Sequence, residues 1–368
     1  MKITDIDIRM CRHKETGMKD SEMRDGKKSD LEFLVITFHT DEGLSSSTFG
    51  FAGRGAAMAG EIANSIFKPF FIGRDPLYRE KHWHEYRTAD RWWNHAPIYS
   101  YGPFDINCWL LSSMKAEQPL YKYLGAYRDS VPIYGSSLVL KTPDAYAKEA
   151  LEYKNRGFNA YKLHPPGDYD FDLEAHKAVR KAVGDDFKLM SDPVAPYTFE
   201  QALRFGRELE KLNYYWYEEP LFDENFHNLR ELTRILDIPI VGTEVLAKHP
   251  YSVAECISTR VVDVVRADPS WSGGITATMK TAHLAESFGV SCEIHTAIYH
   301  PLELVNLHCC AAIKNCEFFE VLLPYDLFNF GLKESIQIKG GYAQLPNKPG
   351  LGIDLDWDFI DNTTFKKV

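Results

Sequence analysis

The sequence predicts an α/β protein: a modified TIM barrel, (β/α)7β, with an α+β capping domain formed by the N-terminal region and the C-terminal tail. Three observations carry this expectation. From about residue 130, short β-rich runs alternate with amphipathic helical segments. Three of the apolar runs, in "MSDPVAP", "YYWYEEPL" and "IVGTEVLA", lead into a carboxylate: Asp192, Glu218 and Glu244. The same interval of 26 residues separates Asp192 from Glu218 and Glu218 from Glu244, the length of one strand, one helix and two loops.

The barrel elements follow in order. "VPIYGSS" precedes "DAYAKEALEYKNRG", "AYKLH" precedes "DLEAHKAVRKAVG", and "FKLMSD" precedes "FEQALRFGRELEKLN". "YYWYEEP" leads to "NLRELTRIL", "IPIVGTE" to "YSVAECISTR", "VVDVVRAD" to "GITATMKTAHLAESFG" and "VSCEIH" to "LELVNLHCCAAI", with "EFFEVLL" as the last strand. Eight strands and seven helices joined by right-handed crossovers close into a barrel. An open doubly wound sheet is the alternative, disfavoured because polar residues fall at the same strand end throughout. Residues 129–324 are assigned to the barrel.

Residues 1–128 read as the capping domain, with strands at "KITDIDIRM" and "EFLVITFHTDEG" and helices through "AAMAGEIANSIFKPFFIG", "PLYREKHWHEYRT" and "FDINCWLLSSMKAE". Residues 325–368 contain "SIQIKGGYAQLPNKPGLGIDLD", rich in glycine and turn residues, and read as a tail returning to the cap. Between the first two strands, "HKETGMKDSEMRDGKKSD" has hardly an apolar residue and reads either as a lid or as a solvated loop. "FGFAGRGAAMAG" lacks the strand-loop-helix spacing of a nucleotide loop; it reads as a cap loop, with Arg54 a candidate for binding a substrate anion. The aromatic run "RWWNHAPIYSYG" reads as cap packing, with Trp92, Trp93 and His95 candidates for bordering the pocket. His82 and His84 stand two apart in a helical segment, on different faces, and so do not suggest a metal site.

With 368 residues, 45% hydrophobic and 26% charged, the chain can bury an extensive core. The N-terminus alternates like a strand instead of carrying a signal peptide's apolar core, and no apolar run reaches the length of a membrane span. A cytoplasmic location is expected. Seven cysteines without a CxxC pair suggest buried free thiols. A net charge of −10 and a pI near 5.7 argue against nucleic acid and anionic membranes as partners, and an anionic small substrate would need local positive charge.

In a parallel barrel the C-terminal strand ends open onto one face. Asp192, Glu218 and Glu244, on the third, fourth and fifth strands, would repel one another there without a cation. Oxygen-only ligation suits Mg²⁺ or Mn²⁺, one per subunit. Lys162 and His164 project from one face of the second strand. Across the barrel His295 ends the seventh strand beside Asp268 on the sixth, a carboxylate able to fix its tautomer and raise its basicity. Glu320, at the end of the eighth strand, is placed to contact a substrate oxygen, whereas Glu317 reads as solvent-facing.

Together with the motifs "SDP", "WYEEPL", "GTE", "RADPSWSGGIT" and "EIH", these residues resemble the enolase superfamily and its mandelate racemase-like subgroup, the mandelate racemase/muconate lactonizing enzyme family. The resemblance covers nearly the whole chain. It implies that Asp192, Glu218 and Glu244 bind Mg²⁺, that Asp268 and His295 form an acid/base dyad, that Glu320 contacts the substrate carboxylate, and that Lys162 and His164 supply the opposite face. It also implies a homo-oligomer. Two departures stand out: His164 replaces the second lysine of the subgroup's usual Lys-x-Lys, and Val194 stands where relatives often place a polar residue.

The chemistry so implied is removal of the proton next to a carboxylate, through an enediolate. Loss of a β-hydroxyl as water would then give a 2-keto-3-deoxy acid, making the protein an acid-sugar dehydratase. Reprotonation on the other face, by a racemase or epimerase of an α-substituted acid, is the alternative.

Overall fold

Alternating apolar residues make Ile3–His13 a strand with Ile6, Ile8 and Met10 buried on one face. In the computed structural model, which describes residues 1–14 and 30–368 and the backbone of 21–22, this strand pairs antiparallel with Leu31–Thr40. Leu31–Thr40 pairs in turn with Ser45–Phe51, and Thr364–Lys367 adds to the opposite edge. The end of the chain thus joins the sheet in which the chain begins. The segment read as a lid or solvated loop lies outside the described residues except at 21–22, whose backbone pairs with Val139–Leu140 beyond the first barrel strand.

Ser45–Phe51 corrects the reading of "FGFAGRGAAMAG" as a loop, since Phe49, Gly50 and Phe51 belong to this strand and a helix begins at Ala56. Its inward positions include Ser46 and Thr48, so it carries no apolar alternation to find. The Ser46 hydroxyl donates to Asn107 Oδ1 at 2.8 Å, and Gly50 lets Pro103 approach closely. Both partners lie on the long cap helix Ile98–Lys115. Trp92 and Trp93, expected as cap packing, are instead 63% and 84% exposed.

The barrel strands are Ser130–Ser136, Ala160–Leu163, Lys188–Ser191, Trp216–Glu218, Ile240–Gly242, Val264–Ala267, Ser291–Ile294 and Phe319–Leu322. Parallel pairing joins the first seven in chain order and returns from the eighth to the first. Between the seventh and eighth, the Glu293 carboxylate accepts from the Glu317 and Phe318 N–H groups at 2.8 and 3.2 Å. Helices cover the outside, each placed by its apolar stripe: in Phe199–Lys211, Ala202, Phe205, Gly206 and Leu209 are buried while Thr198 and Gln201 form a capping box.

The cap meets the barrel at "SGGIT". Gly274 has φ +94°, and a Cβ there would lie 2.4 Å from Asp105. Asp105, on the cap helix, accepts from Thr276 N–H and Oγ1 at 2.8 and 2.7 Å. The pair of glycines therefore lets the cap rest on the loop that carries Asp268. All seven cysteines are free and buried, and no helix among the described residues is long and apolar enough to cross a membrane.

Candidate active site

The strand periodicity builds the site in layers. Tyr134, Ala160, Met190, Trp216 and Phe318 pack together inside the barrel, with Val264 against them. Two residues further along the same strands stand Ser136, Lys162, Asp192, Glu218, Glu320 and Arg266, all buried. An apolar plug thus supports a charged floor.

Lys162 Nζ lies 3.1 Å from Asp192, 3.0 Å from Glu218 and 2.9 Å from Glu320. Burial alone would lower its pKa, but Glu218, Glu320, Tyr134 and Asp192 hold it well above the usual lysine value. Arg266 ion-pairs through Nε with Glu218 at 2.9 Å and through Nη2 with Glu320, and its Nε is 3.8 Å from Glu244. Burial pushes the Asp192 and Glu320 carboxyls up. Lys162 outweighs this in both, helped by His164 at Asp192 and by Arg266 at Glu320, and holds them well below the carboxylate range.

His164 Nε2 is 2.9 Å from Asp192 Oδ2, and its Nδ1 donates to the Ser137 carbonyl at 2.7 Å. On the opposite wall His295 Nδ1 donates to Asp268 Oδ2 at 3.0 Å. The other oxygen of Asp268 accepts from the Ser270 N–H and hydroxyl, each at 2.7 Å. Asn306 holds the His295 carbonyl at 2.6 Å, and the Trp271 ring packs 4.5 Å from the imidazole. Burial opposes protonation of His295, but Glu244 and the bond to Asp268 raise its pKa to about 9. Its Nε2 faces Glu244 at 3.3 Å.

Glu244 reaches the site by a different route. Thr243 before it has φ +81°, which breaks the strand alternation. Asp223 holds this turn, accepting from Thr243 N–H at 2.6 Å and Val245 N–H at 3.2 Å, on either side of Glu244. Burial raises the Glu244 carboxyl to about 7 against the pull of His295 and Arg266. Burial and Glu244 likewise push Glu219 well above the carboxylate range.

The donor set fits a hard divalent cation. Four carboxyl groups, of Asp192, Glu218, Glu244 and Glu320, surround two permanent cations, Lys162 and Arg266. Glu219 Oε1 and Glu244 Oε2 are buried without a hydrogen-bond partner, and Glu218 Oε1 faces Arg266 Nε. Among the described residues, no three His, Cys, Asp or Glu side chains stand at metal-ligand geometry, and the two cations bridge the carboxylates.

A family model described as "Enolase C-terminal domain-like" matches residues 145–359. The chain belongs to the enolase superfamily. As a superfamily member of the mandelate racemase-like kind, it is 31% identical to the arabinonate dehydratase of Saccharolobus solfataricus, over 82% of this chain and 84% of that one. It is 29% identical to the L-talarate/galactarate dehydratase of Salmonella typhimurium, over 92% and 85%. Among solved structures, D-glucarate dehydratase from Agrobacterium tumefaciens, complexed with magnesium, matches with a TM-score of 0.88 and 32% identity, each chain being covered completely (100%).

Within this superfamily fold, the site brings together Lys162, His164, Asp192, Glu218, Glu244, Asp268, His295 and Glu320. Arg54 is exposed on the turn after Ser45–Phe51 and is not among the residues that line the cavity beside Glu244. Sequence reasoning missed Arg266, although it lies two residues before Asp268 on one strand, the same signal that paired Lys162 with His164. It also missed Glu219, Asp223, Ser270 and Trp271. Of these, Glu219, Ser270 and Trp271 lie inside the quoted motifs and Asp223 two residues beyond "WYEEPL".

Proposed function

We propose that the protein is a Mg²⁺-dependent sugar-acid dehydratase. The observation that carries this reading is the His295–Asp268 pair facing a wall of Asp192, Glu218 and Glu244. These three carboxylates would hold the ion, which when bound stabilises negative charge developing on the substrate carboxylate. With Glu244, the carboxylate that most raises the His295 pKa, turned to the ion, His295 oriented by Asp268 would present a free Nε2 to take the α-proton. Lys162, kept protonated by three carboxylates, supports the enediolate charge with Glu320 beside it. His164 presents Nε2 from the other wall, where it donates a proton to the departing β-hydroxyl. The product is a 2-keto-3-deoxy acid after tautomerisation.

Epimerisation is the second reading, favoured by histidines on both walls. A library of sugar mono- and diacids, assayed for keto-acid formation with Mg²⁺ and again after chelation, tests the proposal. Keto acid that disappears on chelation and returns with Mg²⁺ is expected. Full turnover in metal-free protein would contradict it, and deuterium incorporation from D₂O without keto acid would favour the epimerase.

A further inference from the structure

A cavity of about 550 Å³ opens between cap and barrel beside Glu244 and Trp271. It borders the site, because Glu244 and Trp271 line it, and Trp271 packs on His295 and meets Phe51 edge-on at 5.2 Å. Phe51, Leu246 and Trp271 form apolar wall, whereas Arg87, Asp90, His95 and Lys248 supply polar groups. A neighbouring cleft of about 540 Å³ shares Arg87, Asp90 and Lys248 and adds Arg91.

The polar groups are not satisfied by one another. Arg87 Nη1 is 3.8 Å from Asp90 Oδ2, too far for a hydrogen bond. Arg87 Nε and Asp90 Oδ1 are buried without a hydrogen-bond partner. The guanidinium is nevertheless held in place, its centre 5.8 Å from the Trp83 ring and 5.4 Å from the Tyr251 ring. Lys248 is exposed at φ +60°, and no carboxylate among the described residues stands within ion-pair distance of it. With Glu244 reserved for the ion, Arg87 and Lys248 exceed Asp90, the other carboxylate of the lining, by one positive charge, on a chain of net charge −10.

We propose that this cavity is a distal subsite for the second carboxylate of a sugar diacid, bound by Lys248 and Arg87 while the first carboxylate occupies the reaction centre. The inference rests on the dehydratase reading and narrows its substrate to diacids. A neutral hydroxymethyl terminus would desolvate Arg87 and Lys248 without replacing water by an anion. A phosphate would carry more charge than the single excess cation balances. Phe51 and Trp271 offer ring faces to the C–H faces of the carbon chain between the two ends.

The test compares matched hexaric and hexonic acids, galactarate with galactonate and glucarate with gluconate, by kcat/KM for keto-acid formation. A preference of about 100-fold for a diacid over its monoacid is expected. Lys248→Met lowers kcat/KM for that diacid about 30-fold, chiefly through KM, and collapses the preference. Lys339→Met, the same charge change on the tail, leaves the preference in place. A monoacid turned over better, or a preference untouched by Lys248→Met, overturns the subsite. Calorimetric titration of the diacids into both proteins separates the two readings. If nothing is dehydrated but diacid binding still weakens in Lys248→Met, the subsite stands and the dehydratase reading falls. If diacids are dehydrated and bound equally by both proteins, the subsite falls and the dehydratase reading stands.

Discussion

On one wall of the barrel mouth, His295 has a carboxylate of its own, Asp268, whose second oxygen is held by Ser270. On the other wall, His164 is oriented by a backbone carbonyl, and its Nε2 rests on Asp192, a carboxylate that Lys162 also engages. Both rings are polar and partly accessible, with side chains 20% exposed for His164 and 10% for His295. What differs is the backing. A dedicated carboxylate raises the affinity of His295 for a proton and fixes which nitrogen faces the site. The strand-two wall commits its cations to holding the carboxylate floor together, which suits charge stabilisation and proton donation better than proton abstraction.

The largest expected effect follows directly. His295→Asn should lower kcat on the physiological acid by about 10³- to 10⁴-fold, whereas His164→Asn should cost only about 10-fold, measured as steady-state keto-acid production. Equal losses would erase the distinction between the walls. Asp223 sharpens it further, because this residue touches neither histidine and instead clamps the turn carrying Glu244. Asp223→Ala should weaken Mg²⁺ binding by about 10- to 100-fold by calorimetry while leaving the His295–Asp268 geometry intact.

The smallest effect extends the comparison to histidines away from the mouth. Burial pushes His176, His249, His300 and His308 down to about 4 from an ordinary value of 6.5. At these four rings the unfolded chain therefore binds more protons between these values, so their contribution to stability is complete above pH 6.5 and is lost as pH drops toward 4. The change in urea midpoint from pH 7.5 to pH 5 should be less negative in His300→Gln than in the wild-type protein. An identical change in both would mean that the His300 ring is protonated in the fold.

Much of this architecture was legible because its periodicities are local. Inward residues two apart and helices with one apolar stripe mark the barrel without tertiary information, and the 26-residue spacing placed Asp192, Glu218 and Glu244 on successive strand ends. The hidden parts depend on long-range pairing. Arg266 is a fully buried arginine, a choice that composition disfavours until Glu218 and Glu320 are seen around it. The entry of Glu244 depends on a left-handed Thr243 and on Asp223, which lies in the preceding βα loop. The strand Ser45–Phe51 turns hydroxyl groups inward, and Lys248 meets Arg87 only where cap and barrel join.

The central claim, that proton abstraction belongs to the Asp268-backed wall, is tested most directly by NMR of α-proton exchange in D₂O with Mg²⁺ and a substrate acid. His164→Asn should retain exchange of the α-proton that faces His295, and His295→Asn should lose it. Exchange at the wild-type rate in His295→Asn together with its loss in His164→Asn would contradict the account and move the base to the second strand.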